Sequence, residues 1–162
     1  MIPRIAVIGL GKMGRAVVEL AQARRWPVVA TFDEASNPAG GAITREHLAG
    51  ADVAIEFTTP AAAPANIRAC ARAGCPVVVG TTGWYDERER VERDVLAAGG
   101  AMLWSPNFSL GVNIFWQMAE AAARLVGRVP AFDAHIVETH HAAKKDAPSG
   151  TARGRERVAA AA

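Results

Sequence analysis

The segment Ile5-Ala-Val-Ile-Gly-Leu-Gly-Lys-Met-Gly14 decides how the chain is read. A short apolar run ending in glycine predicts a buried parallel strand. The glycines that follow, at the spacing G-x-G-x-x-G, open a helical pattern through Arg15-Ala-Val-Val-Glu-Leu-Ala-Gln-Ala-Arg24. The three glycines serve different ends. Gly9 permits a tight turn, Gly11 lets a pyrophosphate approach the backbone, and Gly14 allows close packing of helix on strand. The helix N-terminus then turns free N–H groups and a positive dipole end toward the phosphates. A second strand, Val28-Val-Ala-Thr-Phe32, ends at Asp33. That carboxylate lies about twenty residues past the glycine loop, where it can accept hydrogen bonds from ribose hydroxyls. Strand, glycine loop, helix, strand and acid in this order predict a dinucleotide-binding unit. Asp33 and Glu34 together repel a 2′-phosphate, which favours NADH over NADPH, while Lys12 and Arg15 offset part of that repulsion.

The pattern continues. Asn37-Pro-Ala-Gly-Gly41 reads as a loop, and Thr44-Arg-Glu-His-Leu48 as the start of a brief helix, with His47 a surface residue of no catalytic role. Asp52-Val-Ala-Ile-Glu-Phe57 is the next strand, closing at Thr58-Thr-Pro60. A helix over about residues 65–73 leads to the strand Pro76-Val-Val-Val-Gly80 and then to Thr81-Thr-Gly83. Residues 86–98 pair charges at helical spacing, as an exposed helix face does, and Ala101-Met-Leu-Trp-Ser105 supplies a further strand. Strand–helix units with short connectors predict a doubly wound parallel α/β sheet of the Rossmann type. Ligands of such sheets collect at the carboxyl ends of the strands, the edge that holds Gly9, Asp33, Thr58, Gly80 to Thr82 and Ser105. Pro106 to Asn113 is the expected crossover out of this domain. Residues 114–126 then form an amphipathic helix with Phe115 and Trp116 in the core, and Phe132 to Thr139 alternates as a half-buried strand does.

Composition narrows the class. The chain has 162 residues, half of them hydrophobic (51%), with a formal charge of +2. That suits one domain, or one domain and part of another. Cationic residues are scattered, except near the C-terminus, and few aromatics accompany them, which argues against nucleic-acid binding. Nothing resembles a signal peptide or a membrane span, so a soluble cytoplasmic protein is expected. Cys70 and Cys75 read as small core residues rather than metal ligands.

The remaining dense feature is Glu138-Thr-His-His-Ala-Ala-Lys-Lys-Asp-Ala-Pro-Ser-Gly-Thr151, which crowds imidazoles, ammonium groups and a Ser-Gly-Thr turn together. By itself it could be a solvated basic loop. Neighbouring strand residues face opposite ways, so His140 and His141 are not expected to chelate one metal, with or without Glu138; no metal site is assigned.

Four strings together resemble the 4-hydroxy-tetrahydrodipicolinate reductase (dihydrodipicolinate reductase) family of lysine and diaminopimelate biosynthesis. They are the glycine loop ending Lys-Met-Gly-Arg15, Gly80-Thr-Thr-Gly83, Asn107-Phe-Ser-Leu-Gly-Val-Asn113, and Glu138 through Ala152, the most specific of them. The resemblance implies hydride transfer from NADH or NADPH to a cyclic imine dicarboxylate. It assigns Lys144 as proton donor and His140 as general acid/base. It gives His141, Ser149, Gly150 and Thr151 to the substrate carboxylates, and the Ser149-Gly-Thr151 turn can present helix amides to an anion. Cofactor contacts carried over are Gly9, Leu10, Gly11, Lys12, Met13, Gly14, Asp33, Gly80, Thr81, Thr82, Ser105, Pro106, Asn107 and Phe108. Residues 1–107 would be the dinucleotide-binding domain and residues 108–162 an incomplete α+β substrate domain. In the family the chain continues through a tetramer-forming sheet and returns a helix to the nucleotide domain, most of which is expected to be missing here. Two rival readings are a non-catalytic NAD(P)-binding module and an oxidoreductase for another small carboxylate.

Overall fold

The computed structural model describes residues 2–129 together with Val137 and Thr139. The chain divides into two compact units, Met1–Ser105 and Pro106–Ala162. The first holds five strands, β1 (Ile5–Ile8), β2 (Val28–Phe32), β3 (Val53–Glu56), β4 (Val77–Val79) and β5 (Met102–Trp104). Three helices accompany them, α1 (Lys12–Ala23), α2 (Ala63–Ala73) and α3 (Arg88–Ala97). The strands form one parallel sheet in the order β2-β1-β3-β4-β5. β1 is thus flanked by β2 on one side and β3 on the other, and the order reverses direction between β1 and β3.

Alternation along the strands divides the core between the two faces of the sheet. Ile5 and Val7 of β1 meet Val28, Val53 and Ile55 on one face, under Val17, Val18 and Ala21 of α1. Gly14, Val17, Val18 and Ala21 recur at the i, i+3, i+4, i+7 spacing of one helix stripe. On the other face Ala6, Ile8, Ala54, Val77 and Val79 pack with Ile67 and Cys70 of α2 and with Val91 and Val95 of α3. α2 again follows the helix stripe, with Ala63, Asn66, Ile67 and Cys70 buried, and it stops at Gly74 in the left-handed region (φ 75°). Arg68 clamps α2 to α3 by pairing with Asp94 at 2.6 Å and with Glu87 at 3.2 Å. The α1 face is less covered toward the β5 edge: Leu103, in register with Val78 and Ile55, is 60% exposed.

Both cysteines are free and buried, as the composition led us to expect. Burial in an apolar surrounding pushes the Cys70 thiol up to about 12, so it stays protonated and packs as a small apolar residue.

Four local expectations change. The segment Thr44 to Leu48 makes a single hydrogen-bonded turn, closed by Leu48 N–H on the Thr44 carbonyl, because Ala49 and Gly50 take left-handed backbone (φ 50° and 72°) and stop it. His47 is exposed there, its Nδ1 3.0 Å from the Ala42 carbonyl. The charged segment at residues 86–98 starts as a 3-10 turn, Tyr85–Glu87, before α3. In the second unit α4 (Leu110–Val126) begins four residues earlier than its apolar pattern suggests, because Ser109 caps it by accepting from Val112 N–H. α4 contains no buried residue, and Phe115, expected in a core, is 49% exposed. The strand expected over residues 132–139 lies outside the described residues, apart from Val137 and Thr139.

The split core makes a direct test. Ile67→Ala removes a fully buried side chain between α2 and the sheet and should cost about 2–5 kcal/mol in urea unfolding. Leu96→Ala, at a position 75% exposed on α3, should stay within about 0.5 kcal/mol of the wild type.

Candidate functional site: the crevice at the reversal of strand order

Ligands of open α/β sheets bind outside the carboxyl ends of the strands, where the strand order reverses. A cavity of about 920 Å³ opens there, between the turn leaving β1 and the start of α2. A smaller one, about 330 Å³, lies between the N-terminus of α1 and the turn leaving β4. Gly11, Phe57 and Thr58 line both, so the two are lobes of one crevice.

The glycine loop is built by contacts that admit no side chain. A Cβ on Gly14 would lie 1.7 Å from the Gly9 carbonyl oxygen, so α1 rests directly on the end of β1. Gly9 has φ +93°, and a Cβ there would come within 2.1 Å of the Phe57 carbonyl oxygen. Gly11 differs: it caps α1 with φ −71°, and a Cβ on it would meet nothing within 4 Å. Its missing side chain is not required by the protein's own packing. It leaves a cradle in front of the first-turn amides of α1.

The larger lobe carries the acids. Asp33 and Glu34 line it beyond β2, with Arg15 in the same wall. Ser36 N–H donates to Asp33 Oδ1 at 2.7 Å and Ser36 Oγ accepts from Asp33 N–H at 3.0 Å, a closed turn that orients the carboxylate. Hydrogen bonds from Ser36, its backbone N–H first, hold the Asp33 carboxyl below its usual range. Arg15 Nε donates to the Leu10 carbonyl at 2.9 Å, which holds its guanidinium near the glycine loop.

The smaller lobe is closed by Gly80, Thr81 and Thr82 opposite Lys12 and Met13. Gly80 is a glycine because the Phe57 ring lies across it, at 2.0 Å from where a Cβ would stand. Trp84 Nε1 donates to the Thr81 carbonyl at 2.8 Å, and the ring is held edge-on to Trp104 at 6.2 Å between centroids. An aromatic cluster thus fixes the turn that forms the lobe's wall.

The structure brings Gly9, Leu10, Gly11 and Asp33 to the larger lobe and Lys12, Met13, Gly80, Thr81 and Thr82 to the smaller one. Gly14 is buried beneath the loop. Ser105 follows β5, its N–H on the Val79 carbonyl at 3.3 Å, and lines neither lobe. Pro106, Asn107 and Phe108 belong to the second unit, where Asn107 Oδ1 accepts from Ser109 N–H at 2.8 Å ahead of α4. His140, His141, Lys144, Ser149, Gly150 and Thr151 lie outside the described residues.

Beneath the crevice lies a polar cluster that the sequence pattern does not reveal. Glu56, the last residue of β3, is fully buried, Asn66 nearly so, and Thr81 and Asn37 are buried at 6% and 7% exposure. The one signal was a carboxylate inside the apolar strand Val53-Ala-Ile-Glu. Burial pushes the Glu56 carboxyl up from the ordinary range, more than the hydrogen bonds from Thr58, Thr81 and Asn66 bring it down.

Fold and crevice together define a doubly wound, Rossmann-type α/β domain. Residues 3–108 match the family model of the dihydrodipicolinate reductase N-terminus, and residues 111–161 that of the C-terminus. The chain belongs to the dihydrodipicolinate reductase family. It is 45% identical over 162 residues to the 4-hydroxy-tetrahydrodipicolinate reductase of Archaeoglobus fulgidus, covering 92% of this chain and 62% of that protein. With the enzyme of that name from Christiangramia forsetii it is 35% identical over 150 residues, 91% of this chain and 60% of the relative. Among solved structures, a dipicolinate-bound dihydrodipicolinate reductase from Paenisporosarcina sp. TG-14 superposes with a TM-score of 0.75 at 26% identity, covering 99% of this chain and 66% of that one. The chain therefore spans about three-fifths of the length of these curated relatives.

The glycines separate packing from binding. Gly14→Ala should lose at least the roughly 1–3 kcal/mol of an overpacked core, or fail to fold. Gly11→Ala should stay within about 1 kcal/mol of the wild type, since its backbone already suits alanine while the cap position favours glycine. Thermal and urea denaturation of the two variants, side by side, checks the contrast.

Proposed function

We propose that this chain carries the nucleotide-binding half, and the opening of the substrate-binding half, of a 4-hydroxy-tetrahydrodipicolinate reductase working with NADH or NADPH. The observation that carries the reading is the Gly11 cradle, open in front of α1 and flanked by the Asp33 lobe and the Thr81 lobe. An extended dinucleotide needs two lobes joined at a pyrophosphate cradle. In this reading Asp33 holds the adenosine ribose, the amides behind Gly11 hold the pyrophosphate, and Gly80 to Thr82 wall the nicotinamide end. Ser105 through Phe108 complete the cofactor contacts by family resemblance.

The reduced nicotinamide supplies a hydride when bound. What this chain must add is charge compensation and a proton, because reducing a conjugated imine builds negative charge that has to be protonated as it forms. Lys144 is the proton donor, and its ammonium offsets the charge while it develops. His140, whose ordinary pKa is near neutral, is the acid/base partner. His141 with the amides and hydroxyls of Ser149, Gly150 and Thr151 holds the substrate carboxylates. A related structure binds dipicolinate, a ring flanked by two carboxylates, which matches a site of this composition. The family's biosynthetic setting supports a cytoplasmic location, and no described helix is long and apolar enough to cross a membrane.

Cofactor choice follows from the larger lobe. Two carboxylates, Asp33 and Glu34, face one guanidinium, Arg15, which is already engaged by the Leu10 carbonyl. A 2′-phosphate would meet net repulsion, so NADH is favoured. Asp33→Ala should weaken NADH binding and shift the NADH-to-NADPH affinity ratio toward NADPH by at least about tenfold, the equivalent of 1.4 kcal/mol. Fluorescence titration with both cofactors checks this.

The reaction is tested by NADH oxidation with freshly prepared hydroxy-tetrahydrodipicolinate. Lys144→Ala should lower kcat by about 10²–10⁴-fold, the usual contribution of a positioned proton donor, while NADH affinity stays within about twofold of wild type. Unchanged turnover would remove Lys144 from the chemistry. Cofactor binding without turnover in the wild-type chain would favour the non-catalytic module instead.

A further inference from the structure

Four polar or charged residues stand out as buried among the described residues, Asn37, Glu56, Asn66 and Thr81, and they form one connected group. Thr58 Oγ1 donates to Glu56 Oε1 in a short hydrogen bond. Asn66 Nδ2 reaches the same Oε1 at 3.5 Å and Thr58 Oγ1 at 3.3 Å. Thr58 N–H donates to Thr81 Oγ1 at 2.7 Å. On the other side Asn37 Nδ2 donates to Asn66 Oδ1 at 2.9 Å, and Asn37 Oδ1 accepts from Ala42 N–H at 3.1 Å. The chain of bonds runs from the loop after β2, through α2 and the end of β3, to the turn after β4.

These segments frame both lobes of the crevice. Asn37, Thr58 and Asn66 line the larger lobe, and Thr58 and Thr81 the smaller, whereas Glu56 lines neither. A buried carboxyl costs several kcal/mol when it stays ionised and unpaired. Glu56 forms no ion pair with any described residue, and its Oε2 is buried without a hydrogen-bond partner. Of the titratable groups near it, Cys70 on α2 is one whose own shift includes the Glu56 charge, and that thiol is held protonated at about 12. Thr58, Thr81 and Asn66 are the neutral groups that meet the carboxyl from β3, the β4 turn and α2. No described cation compensates its charge.

We propose that Glu56 is a positioning residue for the dinucleotide: in its neutral form it locks Thr58, Asn66 and, through them, Asn37 and Thr81, so that the two lobes keep one relative geometry. The inference rests on the reading that a dinucleotide occupies the crevice. When Glu56 ionises, the donors Thr58, Thr81 and Asn66 favour the anion, but the desolvated charge outweighs them, so the group opens to admit water and the lock loosens. The sign follows from burial. Because the carboxyl is raised above 4.5, its stabilising contribution is complete below that value and is lost as pH rises through the raised one.

The test is a pH series of NADH titrations on the full chain, from the ordinary carboxyl value of 4.5 upward into the alkaline range, for the wild type, Glu56→Gln and Glu56→Ala. Glu56→Gln keeps the side chain's shape and cannot ionise, so it carries the test even if Glu56→Ala fails to fold. Wild type and Glu56→Gln should agree within about twofold at the low end. The wild type should then fall at least about tenfold below Glu56→Gln at the high end. Glu56→Ala, if folded, should bind weakly at every pH with no step. Parallel profiles for wild type and Glu56→Gln would overturn the role of Glu56 while leaving the crevice as a cofactor site. Absence of NADH binding by the wild type at any pH would overturn the cofactor reading itself, and this inference with it.

Discussion

The structure of the first unit depends on the contact between α1 and β1, where the helix lies on the Gly9 carbonyl with no room for a side chain at Gly14. Any Cβ would lift the helix off the sheet. Because none is present, the N-terminus of α1 sits at the carboxyl end of the central strand, and its unpaired amides face outward over Gly11. The apolar stripe of Gly14, Val17, Val18 and Ala21 then closes one face of the sheet, and the alternation of β1 sends Ala6 and Ile8 to the other. A single backbone approach thus sets helix position, sheet coverage and the open cradle together.

From that contact the crevice follows by topology. β2 and β3 leave β1 on opposite sides, so the turns after them diverge and leave space between them. Charge is distributed accordingly. Asp33 is exposed and oriented by Ser36 at the outer end, whereas Glu56 is buried beneath the middle of the crevice. The two carboxyl groups differ in state because their surroundings differ: one is stabilised as an anion by backbone and side-chain donors in solvent, the other is driven toward neutrality by desolvation. This division suits a site in which one acid meets a sugar hydroxyl while another holds the walls.

The match to both halves of the dihydrodipicolinate reductase family places this crevice in the family's N-terminal part. In the proposed reading the first unit supplies cofactor geometry. The residues proposed to separate this family's chemistry from that of other dinucleotide enzymes fall in the run from Glu138 to Thr151. Exposed apolar side chains on α4, Leu110, Ile114, Phe115 and Met118, belong with that second half.

The five strands were legible in the sequence to within a residue at each end, and so were the glycine loop, the acid after β2 and the end of α2 at Ala73. All rest on local physics: hydrophobic period, backbone freedom at glycine, and the reach of a side chain across one turn. The family string beyond residue 137 was legible for the same kind of reason, being contiguous. Tertiary structure alone decided the rest. The single turn at Thr44 to Leu48, the early cap of α4 at Ser109, the Phe57 ring across Gly80, and the burial of Glu56 with Asn37, Asn66 and Thr81 each depend on segments brought together from distant positions or on backbone angles that residue type leaves open. A glutamate in an apolar strand can end in solvent, in an ion pair or under a helix, and the chain's own spacing does not distinguish them. Here the packing of α2 over β3 decides, because it removes water from the carboxyl and surrounds it with neutral donors.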